Sequence, residues 1–290
     1  MTKSTFLHLR IPFSFFLLPI FLFAWAINPK DIMPIHFWMA FFLIHFFLYP
    51  ASNAYNSYFD KDEKSIGGLK HPPKVSRELY TYAIVFDIIA IIGGILLLNW
   101  DVAVMFFIYG LASKAYSHPS IRLKKYPYIS WLIAGFFQGY FTFLMTYSAL
   151  HHLSIFQTFT PFIQLPAILS SLMLLGSYPM TQIYQHEEDA KRGDITLSLK
   201  LGILGTFYFT ALAFGLATLG FVAYFMYYFS FQISLFYLLF LMPILIFFGT
   251  WYFKVRKHQE NANFEHTMRL NFLSGLMLNL FFIFLGIYFL

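Results

Sequence analysis

Nine windows of about 18 to 25 apolar residues follow one another along the chain, at roughly 11–28, 33–57, 78–99, 101–117, 127–149, 161–185, 201–226, 234–253 and 268–290. Each is long enough to cross about 30 Å of hydrocarbon as a helix, and a bilayer admits only helices or closed barrels. A barrel would show short segments of alternating polarity, so the continuous Phe, Leu and Ile runs exclude it. Composition points the same way: 59% of residues are apolar, 11% are charged, and the mean hydropathy is +0.65. A soluble domain carries about 25% charged residues. The expectation is an all-α polytopic membrane protein of about nine transmembrane helices.

Placing the connections alternately on two sides, with the N-terminus inside, puts every Lys and Arg except Lys30 on the inner side. That is the positive-inside rule, so the net charge of +6 reports topology first. It gives a cytoplasmic N-terminus and an integral protein of the plasma (inner) membrane, with no nucleic-acid partner. The chain has no cysteine, which removes disulfides, thiolate metal sites and a cysteine nucleophile. The start resembles a signal peptide ending at Ala24-Trp25-Ala26, but its apolar run exceeds the usual length and is read as a span.

Six acids fall into two clusters on the inner side: Asp60, Asp62 and Glu63 after the second window, and Glu187, Glu188 and Asp189 after the sixth. A carboxamide precedes an acid by four positions in both, Asn56 before Asp60 and Gln185 before Asp189, which is one helical turn. The clusters therefore read as two copies of one design. Acids at helix ends, mixed with Lys and Arg and backed by an aromatic membrane interior, suit a molecule with a charged head and a greasy tail. Mg²⁺ binds one or two carboxylates plus substrate phosphates, and Lys or Arg neutralise the rest. Loss of diphosphate from an allylic carbon leaves a cation that aromatic faces stabilise.

Plainer readings stand beside these. The clusters also read as solvated loops, and Tyr116, Tyr140 and Tyr178 as packing aromatics. Asp87, about three turns into the third window, either faces a cavity in protonated form or makes a structural hydrogen bond. His186 beside Glu187 is a poor metal site, because adjacent residues do not converge on a helix.

The segments Asn56-Ser-Tyr-Phe-Asp60-Lys-Asp62-Glu63 and Glu187-Glu188-Asp189-Ala-Lys191-Arg192-Gly193-Asp194 resemble the two aspartate-rich motifs of the UbiA-type intramembrane prenyltransferases. Between them, Tyr116-Ser117-His-Pro119-Ser-Ile-Arg122-Leu-Lys124-Lys125 is similar to that family's inner loop between spans four and five. The resemblance runs over the whole chain and implies a single domain, 1–290, around a central cavity. It further implies Mg²⁺-dependent transfer of a prenyl group from a polyprenyl diphosphate to an aromatic or other lipophilic acceptor, within membrane lipid.

By position, Asn56, Asp60 and Asp189 are carried over as catalytic; Lys70, Tyr116, Arg122, Lys124 and Lys191 as substrate-binding; and Asp60, Glu63, Glu187 and Asp189 as metal ligands. Two positions depart from the family: Lys64 stands where a second acid is usual, and Gln185 where the second motif opens with Asp. A helix continuing past Asp60 would put Glu63 and Lys64 on its face, Glu63 as substitute ligand and Lys64 as a cation for the diphosphate. A proton-coupled small-molecule transporter using Asp87, and a family member that binds lipid without catalysis, remain the alternative readings. The acceptor, the prenyl length and the oligomeric state do not follow from the sequence.

Overall fold

The computed structural model describes residues 1–290, and its only β pairing is an isolated bridge between Ile66 and Leu69. The helices are α1 (Lys3–Leu9), α2 (Leu18–Ala26), α3 (Pro34–Asp60), α4 (Glu78–Leu97), α5 (Trp100–Ser117), α6 (Pro127–His151), α7 (Pro161–Gln182), α8 (His186–Arg192), α9 (Leu197–Tyr228), α10 (Phe231–Lys257) and α11 (Phe264–Phe289). Seven of them (α3, α4, α6, α7, α9, α10, α11) are long and apolar enough to cross a membrane. An eighth span forms if α2 is joined to Lys3–Phe16, from which it is bent by 42°. Where the fourth window was expected, α5 is helical over 18 residues but carries Asp101 and Lys114, and it fails the same test of apolarity. Seven or eight such spans therefore stand where nine were expected.

Backbone polar groups in hydrocarbon must be satisfied within the protein, and the helix ends show how. Asn99, Thr196, Ser230 and Asn263 accept from the first turns of α5, α9, α10 and α11, and Pro34, Pro127 and Pro161 open α3, α6 and α7 where no N–H is needed. Both α3 and α6 widen into a π turn, at Leu43–Leu48 and Phe136–Phe141. At the second, Ser171 Oγ donates to Gly135 O (2.8 Å) and accepts from Tyr140 N (2.9 Å). That contact needs glycine at 139, where a Cβ would lie 2.5 Å from Ser171 Cα.

Half of the apolar window of α6 and 44% of that of α3 are buried, against 28% for α4, α9 and α10, so α3 and α6 stand at the centre and the others face lipid. The half of the bundle remote from the acid clusters is filled with rings. Phe23 stacks on Phe282 with centroids 4.6 Å apart, and Phe143, Phe221 and Phe225 close around it. The other half is hollow. There α1 fastens the 61–77 connection over the bundle end: Ser4 Oγ donates to Lys74 O (2.6 Å), Thr5 Oγ1 to Glu78 Oε1 (2.6 Å), and His8 Nε2 meets Pro73 O (2.8 Å).

Candidate functional site

The first acid cluster is shaped by the end of α3. Lys61 takes the left-handed conformation (φ 50°) and donates its N–H to Ser57 O, so the helix stops at Asp60. The expected continuation through Lys64 does not occur. The side chain that turns inward is Asp62, while Glu63 and Lys64 lie on the surface, where their backbone N–H groups donate to Glu188 Oε1. The second cluster is built differently, which corrects the reading of two copies: α7 ends at Gln182, and the acids form a separate short helix, α8, behind Gln185 at its N-cap. Gly193 (φ 73°) closes α8 and turns Asp194 back, its N–H donating to Asp189 O at 2.9 Å.

These two turns bring Asp60, Asp62, Asp189 and Asp194 together against Arg122, Lys124 and Arg192. Asp194, whose side chain is 2% exposed, accepts from Arg122 Nε (2.9 Å) and Nη2 (2.8 Å), and lies 3.6 Å from both Lys124 Nζ and Arg192 Nε. Lys124 pairs with Asp60. Arg192 donates to Asp62 and, through Nη2, to Asp189 Oδ1 at 3.1 Å. Asn56 Nδ2 donates to Ser117 Oγ at 2.9 Å. Burial pushes the Asp189 carboxyl up to about 7 against the pull of Lys124, with Asp194, Asp60 and Glu188 adding repulsion. The hydrogen bonds that Arg122 donates to Asp194 hold its guanidinium above its ordinary value.

All of this cluster except Arg122 lines a chamber of about 260 Å³, together with Asn56, Tyr116 and Tyr178. A second cavity of about 390 Å³ continues from it, walled by apolar side chains such as Ile20, Met173, Phe214, Ile244 and Phe248. Tyr178, Tyr109 and Gln138 line both, and the Tyr178 hydroxyl pairs with that of Tyr116 at the boundary. Arg10 also lines the polar chamber; its Nη1 donates to Gly67 O (3.2 Å) and it enters no ion pair. Sequence reasoning missed Arg10 as a site residue, counting it only toward topology. Its one signal was a lone guanidinium directly before the first apolar run.

Other expected site residues stand elsewhere. Glu187 bonds Lys64 (2.5 Å) and Lys191 (2.8 Å) at the exposed rim, and those bonds, the one from Lys191 first, hold its carboxyl down at about 2. Lys70 pairs with Glu265, also at the rim (2.5 Å). Asp87 faces neither cavity; it is paired with Lys114 of α5 between α4 and α5. Tyr140 lines neither cavity and donates to Gln164 Oε1 at 2.5 Å.

No three Asp, Glu or His side chains converge to cage a metal by themselves. Three buried carboxylate oxygens, Asp60 Oδ1, Glu188 Oε2 and Asp189 Oδ2, accept no hydrogen bond, but Asp60 Oδ1 is ion-paired with Lys124 Nζ. Asp60 and Asp189 line the chamber and Glu188 does not, so Asp189 Oδ2 is the unpaired carboxylate oxygen there. Hard oxygens in that number suit Mg²⁺, which completes its shell with water and phosphate.

Comparison with known proteins places this arrangement. The profile of the UbiA prenyltransferase family matches residues 16–286. A structure concerned with digeranylgeranylglyceryl phosphate synthase in membranes superimposes with a TM-score of 0.63 at 19% identity, covering 99% of this chain and 98% of that one. A UbiA homologue from Archaeoglobus fulgidus bound to DMAPP and Mg²⁺ gives 0.67 at 16% identity, with 98% and 99% covered. The same homologue bound to GPP and Mg²⁺ gives the same values. Among curated proteins none matches.

Proposed function

The chain belongs to the UbiA prenyltransferase family, and on that premise we propose that it transfers a polyprenyl group from a prenyl diphosphate to an aromatic or other lipophilic acceptor inside the membrane. The observation that carries this reading is the continuity of a charged chamber with an apolar cavity across Tyr178, one space for a diphosphate and one for its tail. We take residues 1–290 as a single domain with the chamber on the cytoplasmic side of the plasma membrane, the side on which the basic connections collect.

Asp189, through its unpaired Oδ2, and Asp60, beside Lys124, would hold Mg²⁺, and the ion would supply charge that stabilises the departing diphosphate. The rest is done by side chains. Lys124, beside Asp60, offers a point charge to phosphate oxygens, with the planar fork of Arg10 across the chamber, while Arg122, which does not line it, is spent on Asp194. Asn56, fixed by Ser117, presents its amide to the same space. The Tyr116 and Tyr178 rings lie where charged chamber meets apolar cavity, the place at which an allylic cation forms and water is least welcome. Glu63, Glu187, Lys64, Lys70 and Lys191 are left to the rim, paired with one another or with Glu265 where an ion pair is seen.

A transporter driven through Asp87 finds no support, because that acid is paired with Lys114 away from both cavities. The test is diphosphate release by purified protein in detergent, across a panel of prenyl diphosphates and candidate acceptors, with and without Mg²⁺. Release that needs Mg²⁺ is expected; binding with no release under any pairing would leave a lipid-binding relative without catalysis.

A further inference from the structure

We infer that Arg192 is a resident cation of the chamber, permanently joining the two acid clusters and facing the diphosphate where an exchangeable divalent ion would otherwise be needed. This rests on the proposed diphosphate site. Sequence reasoning gave such a part to Lys64, but the cation that the fold brings inside is Arg192, on the last turn of α8. Its guanidinium bonds Asp62 of the first cluster and Asp189 Oδ1 of the second, and its Nε lies 3.6 Å from Asp194. No other side chain bridges Asp62 to the second cluster.

Two consequences follow from that geometry. Asp62 and one oxygen of Asp189 are already neutralised by a group that cannot lose its proton, which leaves for metal the second oxygen of Asp189 and, beside Lys124, Asp60. The guanidinium is also not saturated: Nε is buried with no hydrogen-bond partner, and the residue lines the chamber. A planar fork with donors to spare matches phosphate. The chamber therefore takes fewer divalent ions than its four inward aspartates suggest, and stays closed across its two clusters without any.

The experiment counts metal rather than turnover. Purified protein in detergent is titrated with Mn²⁺ in the presence of inorganic pyrophosphate, bound Mn²⁺ being read by electron paramagnetic resonance and pyrophosphate affinity by calorimetry. The wild type is expected to hold a single Mn²⁺ per chain. Arg192→Ala is expected to gain a second, and to lose about tenfold or more in pyrophosphate affinity at limiting Mn²⁺, the loss closing as Mn²⁺ is raised. Arg192→Lys, with charge but no fork, should fall between. Two Mn²⁺ ions in the wild type overturn the inference without any variant having to fold. Unchanged count and affinity in a folded Arg192→Ala overturn it as well, and leave the proposed function standing. Failure of the wild type to bind pyrophosphate at any Mn²⁺ concentration overturns both.

Discussion

The two halves of the bundle are made by the same helices under opposite rules. Remote from the acid clusters, Phe23, Phe143, Phe221, Phe225 and Phe282 fill space ring against ring, every one of them buried. At the other end the same α2, α6, α9 and α11, joined by α7, surround a hollow lined first by apolar groups and then by charge. Lipid tails are as apolar as phenylalanine, so the filled half is held by close packing rather than by escape from water. The hollow half is held by ion pairs that lost their hydration, an arrangement that seldom adds net stability but is costly to break on one side. Stability and chemistry are thus assigned to different ends of one set of helices.

Substitutions can test that division. Asp60→Asn or Asp189→Asn should weaken Mg²⁺-dependent prenyl diphosphate binding by more than the roughly 100-fold typical of lost outer-shell partners of a metal, with unfolding curves little changed. Calorimetry with and without Mg²⁺ reads this, and intact binding in both variants would detach the acids from the chemistry. In the filled half, Phe282→Ala should cost toward the low end of about 3–5 kcal/mol, since the bilayer offers no water for the freed surface to avoid. Its folded fraction should bind diphosphate normally; a matching loss of affinity would show the halves to be coupled.

Asp194→Ala leaves Arg122, Lys124 and Arg192 without their shared acid, and about 3 kcal/mol of stability should go with it. Pyrophosphate added at saturation should return part of that, seen as a larger ligand-induced rise in Tm than in the wild type. The smallest effect belongs to Lys64→Ala: its pair with Glu187 is exposed and screened by solvent, so stability should scarcely change and diphosphate affinity should hold within about twofold.

Apolar windows were legible because a span needs only length and greasiness, and the positions of Asn56, Asp60 and Asp189 were legible because a helix fixes what lies one turn away. Legibility ended where helices ended. Whether Asp62 or Glu63 turns inward depends on the φ of Lys61, a left-handed residue with no glycine to announce it. Whether the second cluster continues its span depends on a break at Gln182, three residues past a proline, Pro179, through which the helix itself runs. Arg192 read as one more basic residue of an inner loop, since its three aspartate neighbours come together only after both breaks and the turn at Gly193.

The pair of Asp87 and Lys114 bears on how the chain enters the bilayer as it is made. Lys114 lies near the loop end of α5, yet its ammonium points back toward Gly110 O (3.5 Å) and Asp87 rather than out to the headgroups. A charged residue at a helix centre opposes insertion by about 2.5–3.5 kcal/mol, and α5 is the one long helix here too polar to qualify as a span by itself. Beside α4, after the short turn at Leu98–Asn99, each charge finds its counter-ion. The hairpin, rather than either helix, is then the unit the insertion machinery accepts. A glycan-acceptor site placed after Ser117 should report the loss of α5 from the membrane when Asp87 is replaced by Leu, and its return when Lys114 is replaced by Leu as well.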